Sequence, residues 1–390
     1  MGQWNEAKIG EIAEVKGGKR IPKGRKLIKE PNSHPYIRIR NLGKTKYMQL
    51  NTDYEYVDEE TQQMIARYIV NQGDILISVV GTIGLVGIVG NTLDKANQTE
   101  NCDKIINIKK VLSEYLYYYL VSSFGQDEIK KGTVGAVQPK LPLKNVKDII
   151  VKYPPIKEQK QIVEILSAID EKIELNETIN NNLEQQAQAI YQQMFIDNPA
   201  PDWIEGSLSD IANITMGQSP SGSSYNEDGI GAIFFQGRAE FGFRFPTIRL
   251  YTTEPKRMAY ANDILMSIRA PVGDLNVAHN DCCIGRGLAA IHSKTNHQSF
   301  VLYTMFSLKK QLDVFNGEGT VFGSINRSSL NDMPILIPDD EQIEKFELIV
   351  APMDTAIRNN YDEICRLQAV RDSLLPRLMS GELDVSNIDL

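Results

Sequence analysis

Six cationic side chains fall within thirteen residues near the start of the chain. The segment GGKRIPKGRKLIK (17–29) carries Lys19, Arg20, Lys23, Arg25, Lys26 and Lys29. Glycine and proline break it, so it reads as a loop. Cations on such a loop can hold phosphate through charge alone; the plainer reading is a solvated, mobile loop. YIRIRNLG (36–43) follows, and its alternation predicts a strand with Arg38 and Arg40 on one face and Ile37 and Ile39 on the other. Arginine can bind a guanine edge with two hydrogen bonds; the alternative is a pair of surface salt bridges. Far downstream, FFQGRAEFGFRF (234–245) supplies Gln236, Arg238 and Arg244. Before it, MGQSPSGSSYNEDG (216–229) is a polar loop where the earlier region has its basic one. Two similar frames with differently charged loops suggest two different targets.

Chemistry of the catalytic kind finds no motif. There is no GxGxxG opening a helix, no phosphate-loop lysine and no HExxH. The histidines, His34, His279, His292 and His297, lack metal-ligand spacing. Asn198-Pro199-Ala200-Pro201 is the nearest approach to an adenine methyltransferase motif, and it reads as an interdomain linker. Asp339-Asp340-Glu341 precedes a helix, where acidic residues complement the dipole. The four cysteines, at 102, 282, 283 and 365, form no CxxC pair. Together with an N-terminus that lacks an apolar leader, they predict a cytoplasmic, reducing environment.

The stretch DILISVVGTIGLVGIVG (74–90) tests the membrane alternative. It is too short and too glycine-punctuated for a span, which needs about 20 apolar residues. It also has a counterpart, DILMSIRAPVGDLNVAH (263–279), with five of seventeen positions identical: Asp74/Asp263, Ile75/Ile264, Leu76/Leu265, Ser78/Ser267 and Gly84/Gly273. The second copy carries Arg269 and Asp274 inside the segment. A strand, a glycine turn and a second strand fit both.

The repeat extends further. GEIAEVKGGKRIPKG (10–24) corresponds to SDIANITMGQSPSG (209–222), and GTVGAVQPKLPLKNVKDIIVKYP (132–154) to GTVFGSINRSSLNDMPILIP (319–338). A period of about 190 residues is too long for a solenoid and reads as a duplicated domain. Charge is distributed unevenly over this frame. The whole chain has formal charge −8, yet residues 1–156 hold 23 Lys+Arg against 17 Asp+Glu. Residues 157–199 hold 3 against 8, residues 200–340 hold 11 against 15, and residues 341–390 hold 5 against 10. Only the first block is basic.

Each unit ends in a long helix. The first is expected over about 158–195, with Ile162, Leu166, Ile169, Ile173, Asn176, Asn180, Leu183, Ala187, Ile190 and Met194 stepping by fours and threes. The second is expected over about 341–379, with Phe346, Val350, Met353, Ile357, Asn360, Ile364, Leu367, Leu374 and Leu378 on its seam. Such seams predict that the helices pair, with asparagines fixing register; the alternative is that each helix packs on its own domain. Pro352 is expected to kink or restart the second helix.

This organisation resembles the specificity subunit of type I restriction-modification systems. The residues that carry the resemblance are the duplicated half, the DILxS segments at 74–78 and 263–267, the glycine-threonine-valine stretches at 132 and 319, and LLPRLMSGELDV (374–385). The resemblance implies an α+β fold with a target recognition domain at 1–156, a central spacer helix at 157–197, a second recognition domain at 198–340 and a C-terminal spacer helix at 341–384. The two helices would form an antiparallel coiled coil that docks modification subunits, each domain reading one half of a split double-stranded DNA site. Such a chain is non-catalytic and holds no cofactor or metal. S-adenosylmethionine would belong to the modification subunits and ATP to the restriction subunits. Specific contacts do not carry over, so the DNA-contact residues above rest on charge and loop character. Two rivals stand beside this reading: a coiled-coil scaffold without DNA function, and a single-chain methyltransferase or nuclease.

Overall fold

The computed structural model describes residues 4–317 and 323–385. The glycine-threonine-valine stretch at 319–321 lies outside the described residues. The chain forms two compact units, one of Met1–Glu177 with Asp362–Leu390 and the other of Thr178–Tyr361. Each unit thus combines one globular domain with part of each long helix.

In the first unit a five-stranded sheet runs in the order Glu14–Gly17, Cys102–Ile106, Ile75–Ser78, Val86–Val89, Tyr47–Met48. A three-stranded sheet joins Glu55–Tyr56, Pro35–Ile37 and Asn97–Gln98. In the second unit the corresponding sheets have four strands (Ala212–Met216, Leu288–Ser293, Ile264–Ser267, Leu275–Val277) and five strands around Ala232–Phe235 and Cys282–Ile284. Each unit also contains a parallel strand pair, Ile37 beside Gln98 and Phe235 beside Ile284.

The DILxS segments are the centre of each frame. Ile75 and Ile77 point into one core and Leu76 into another. Ile264 and Met266 do the same opposite Leu265. A strand covered on both faces reads as an unbroken apolar run, which is why the segment resembles a membrane stretch. The identical polar residues each have a fixed task. Asp74 Oδ2 accepts from the Asn71 N–H at 2.9 Å, and Asp263 Oδ2 from the Tyr260 N–H at 2.8 Å. Ser78 Oγ donates to the Thr82 carbonyl at 2.7 Å and accepts from the Leu85 N–H at 2.8 Å. Ser267 Oγ donates to the Pro271 carbonyl at 2.6 Å and accepts from the Asp274 N–H at 2.9 Å. Gly84 and Gly273 close the same turn at φ 86° and 84°, where side chains are disfavoured.

The first long helix spans Ile156–Tyr191 and continues as a wider turn over Gln192–Ile196; the second spans Asp340–Met379. Within each unit the two run antiparallel. In the first unit Asn176 Nδ2 donates to Glu363 Oε2 at 2.8 Å and Arg371 Nη1 to Asp170 Oδ1 at 3.2 Å. In the second, Asn360 Nδ2 donates to Asn180 Oδ1 at 2.8 Å. The seam residues Ile162, Leu166, Ile173, Asn176, Ile357 and Ile364 are buried, and Ile169, Leu183, Ile190, Met353, Asn360, Leu367 and Leu374 half-buried. The helices pair with each other and also enter the domain cores. Ile162 and Leu166 share one core with Leu378 and Met379, while Ala187 and Tyr191 share another with Phe346 and Val350.

Two expectations need correction. The second helix runs unbroken through Pro352. Proline removes the donor to the Leu348 carbonyl, and Leu348 is 78% exposed, so water can take its place. The strand over 36–43 stops at Ile37, and Ile39–Asn41 forms a 3-10 turn. The Asn41 side chain ends it by accepting from the Arg38 N–H at 2.8 Å.

Candidate nucleic-acid interface

Each unit carries an open cleft built from the same four segments. In the first it measures about 670 Å³ and is walled by Arg20, Ile21 and Leu27 of the basic loop, by the Arg38–Ile39–Arg40 turn, by Thr82 of the glycine turn, and by Thr99, Glu100 and Asn101. In the second it measures about 420 Å³. There Ser219 comes from the polar loop, Gln236, Gly237 and Arg238 from the turn after the parallel strand, Arg269 and Ala270 from the glycine turn, and Arg286 and Gly287 from the remaining turn. Glu240 and Arg249 also line it.

The basic loop is tied to the domain rather than free. The Tyr36 hydroxyl donates to the Lys19 carbonyl at 2.8 Å, and Lys19 Nζ lies 5.8 Å from the Tyr68 ring centre. Arg20 Nε donates to Glu100 Oε1 at 2.6 Å. Burial raises the pKa of Glu100, but hydrogen bonds from Arg20, from its own backbone N–H and from Thr99, with Arg20's charge, outweigh it, so the carboxyl is held below its ordinary range. Arg25 turns inward onto Asp58 at 3.6 Å and onto Glu60. Lys23 and Lys26 are exposed. Arg38 and Arg40 reach the cleft from the 3-10 turn and share the Glu55 carboxylate.

In the second unit Gln236 and Arg238 line the cleft, Arg238 paired with Asp274. Arg244 does not. It is 4% exposed, with Nη2 3.0 Å from Glu184, Nη1 3.1 Å from Asp354, and Nη2 also donating to the Tyr303 hydroxyl at 3.1 Å. A guanidinium enclosed by two carboxylates cannot reach a base, so it leaves the set of candidate contacts. Sequence reasoning also missed Arg249, Arg269 and Arg286. Arg269 and Arg286 are exposed and form no ion pair among the described residues. The glycines that flank Arg286 in CIGRG were the available signal; the Arg269 position was visible inside the DILMSIR copy.

These positions explain how an acidic block can face an anion. Four arginines line the second cleft against one glutamate. Where the first domain places Glu100 after the parallel strand, the second places Arg286.

A model of the type I restriction modification DNA specificity domain matches residues 1–185 and 201–360. The chain belongs to this family. The two matched stretches are the duplicated halves. A Methanocaldococcus jannaschii relative that bears the name of the MjaX type I restriction enzyme specificity subunit is 30% identical over 98% of this chain and 94% of its own. The MjaIX type I restriction enzyme specificity subunit of the same organism is 26% identical over 99% of this chain and 94% of its own. The solved S subunit of a type I restriction-modification system from M. genitalium superposes with a TM-score of 0.60 at 16% identity, over 97% of this chain and 96% of that one, which bears on the fold alone. Both halves here keep one frame and differ in the side chains around their clefts. No helix among the described residues is long and apolar enough to cross a membrane.

Proposed function

We propose that this chain is the DNA specificity subunit of a type I restriction-modification complex and that each cleft reads one half of a split double-stranded site. The observation that carries this is the pair of arginine-lined clefts built from equivalent segments with different side chains. Arg20, Arg38 and Arg40 serve one half-site, with Lys19, Lys23 and Lys26 toward phosphate. Gln236, Arg238, Arg269 and Arg286 serve the other. Arginine forks suit guanine edges, whereas lysines on loops suit the backbone.

The proposed boundaries are 1–156 and 198–340 for the recognition domains and 157–197 and 341–384 for the spacer helices. The helices dock modification subunits, and restriction subunits join that assembly. This chain itself is non-catalytic, takes no cofactor and works in the cytoplasm; S-adenosylmethionine and ATP act on its partners. The test is to co-express it with its modification subunit and map adenine methylation. The expected result is a motif of two short half-sites with a fixed gap, one half of which changes when one domain is exchanged. A continuous motif, or assembly without methylation, would sink the reading and favour a scaffold.

A further inference from the structure

The misplaced arginine has a counterpart. The Val277 N–H donates to the Arg244 carbonyl at 2.8 Å, and the Ile88 N–H donates to the Lys46 carbonyl at 2.9 Å. Val277 pairs with Ile264 and Ile88 with Ile75, the first residues of the two repeated strands. Lys46 and Arg244 therefore hold one structural position in the two domains. Each is buried. Each lies over a buried tyrosine, Lys46 Nζ 5.5 Å from the Tyr118 ring centre and Arg244 Cζ 5.8 Å from that of Tyr303. Each tyrosine hydroxyl donates to an aspartate of the long helix that follows its domain: Tyr118 to Asp170 Oδ2 at 2.7 Å, and Tyr303 to Asp354 Oδ1 at 2.9 Å. Lys46 adds a bond to Ser167 Oγ on the same helix at 2.7 Å.

Around these sets the contact between domain and helix is largely apolar, with further polar ties at Gln159 in the first unit and at Glu347 and Arg358 in the second. Apolar burial is non-directional and leaves related seatings close in energy. A buried cation and carboxylate are costly to desolvate and weak evidence for stability; what such a set can supply is a defined geometry. Both domains place it at the same point, where the domain meets its own helix. None of the six side chains lies on the wall of either arginine-lined cleft; Lys46, Tyr118 and Asp170 line a separate hollow against the helix, as do Arg244 and Asp354 in the second unit.

We propose that these two cation–tyrosine–aspartate sets are positioning residues: they fix the angle at which each recognition domain sits on the helix after it, and thereby the gap length the protein accepts between half-sites. This rests on the reading that the domains recognise separate half-sites. One added base pair shifts a half-site by about 3.4 Å and turns it by roughly 35°. A domain held by directional bonds rejects that displacement, and a loosened one tolerates it.

The experiment uses the full chain assembled with its modification subunit. The substrate is an oligonucleotide library with constant half-sites and a gap varied one base pair at a time. Wild type is expected to methylate at one gap. Tyr303→Phe and Tyr118→Phe each remove one hydroxyl and are expected to raise methylation at the neighbouring gaps about tenfold relative to the wild-type gap, with half-site bases unchanged. Arg244→Met should broaden the gap similarly, and Arg244→Lys, which installs the first domain's cation in the second, should narrow it again. Lower melting temperature with an unaltered single gap would overturn the proposal, as would altered half-site bases. If Tyr303→Phe does not assemble, Tyr118→Phe asks the same question; failure of both to assemble also overturns it, since the sets would then serve folding alone. A wild-type complex that methylates no split site would instead bring down the half-site reading, and this proposal with it.

Discussion

Arg38 and Glu55 are joined by a short ion pair at the turn of the first cleft, with Arg38 Nη1 2.6 Å from Glu55 Oε2. Arg40 Nη2 lies 3.0 Å from the same oxygen and donates to the Asp53 carbonyl at 2.9 Å. One carboxylate therefore holds two exposed guanidiniums in fixed orientation. Preorganised arginines give up less freedom when they meet a base edge. Arg38→Ala is expected to cost about 1–3 kcal/mol of discrimination at one base pair of one half-site. Binding of the assembled complex to single-base variants of the site checks this. A loss equal across all sequences, with a shallower salt dependence, would reassign Arg38 to phosphate.

Arg269 and Arg286 bring to the second cleft charge that the first domain has no counterpart for, Val80 and Glu100 holding the matching places. Replacing both by alanine is expected to weaken recognition of the second half-site by about 1–3 kcal/mol for each arginine–base pairing removed. The first half-site should keep its bases. Methylome mapping of the double variant reads both at once, and a change confined to the first half-site would refute the assignment.

Ile173 sits on the helix seam at 6% exposure, three residues before Asn176. Ile173→Asp places an unpaired charge there, and a loss of about 3 kcal/mol or more is expected. Thermal melting and co-purification with the modification subunit measure it. Unchanged melting and assembly would contradict the paired-helix account.

Asp103 lies in the five-stranded sheet of the first unit, 4% exposed, and its Oδ2 has no hydrogen-bond partner among the described residues. Burial pushes its pKa up to about 6, above the roughly 3.9 of a free aspartate. Between those values the folded protein keeps a proton that the unfolded chain has released. Its contribution to stability is therefore fully present at low pH and declines as pH rises through about 6. Asp103→Asn is expected to flatten the fall in melting temperature between acid and neutral pH. An identical pH profile in wild type and variant would remove Asp103 as the cause.

Much of the frame was legible because it depends on local pattern. The steps of three and four from Ile162 to Met194 specify a helix with one apolar face. The shared Asp, Ser and Gly of the two DILxS segments mark a turn that needs those side chains at that spacing. The duplication itself followed from the identities between the two copies. The strand over 36–43 was over-extended because the alternation of Ile and Arg is indifferent to what Asn41 does to the backbone behind it.

The charges were a different matter. Sequence showed Arg25, Arg38, Arg40 and Arg244 as equivalent cations near glycine or apolar residues. Their partners lie 33, 17, 15 and 110 residues away, at Asp58, Glu55, Glu55 and Asp354. An ion pair depends on distance in space, and chain separation carries no information about it. The sequence alone determined the duplicated frame, the two long helices and a family of DNA specificity domains. The tertiary structure decided which arginines open onto a cleft and which are sealed into the seat of a domain, because only folding brings distant carboxylates within reach of some guanidiniums and leaves others to solvent.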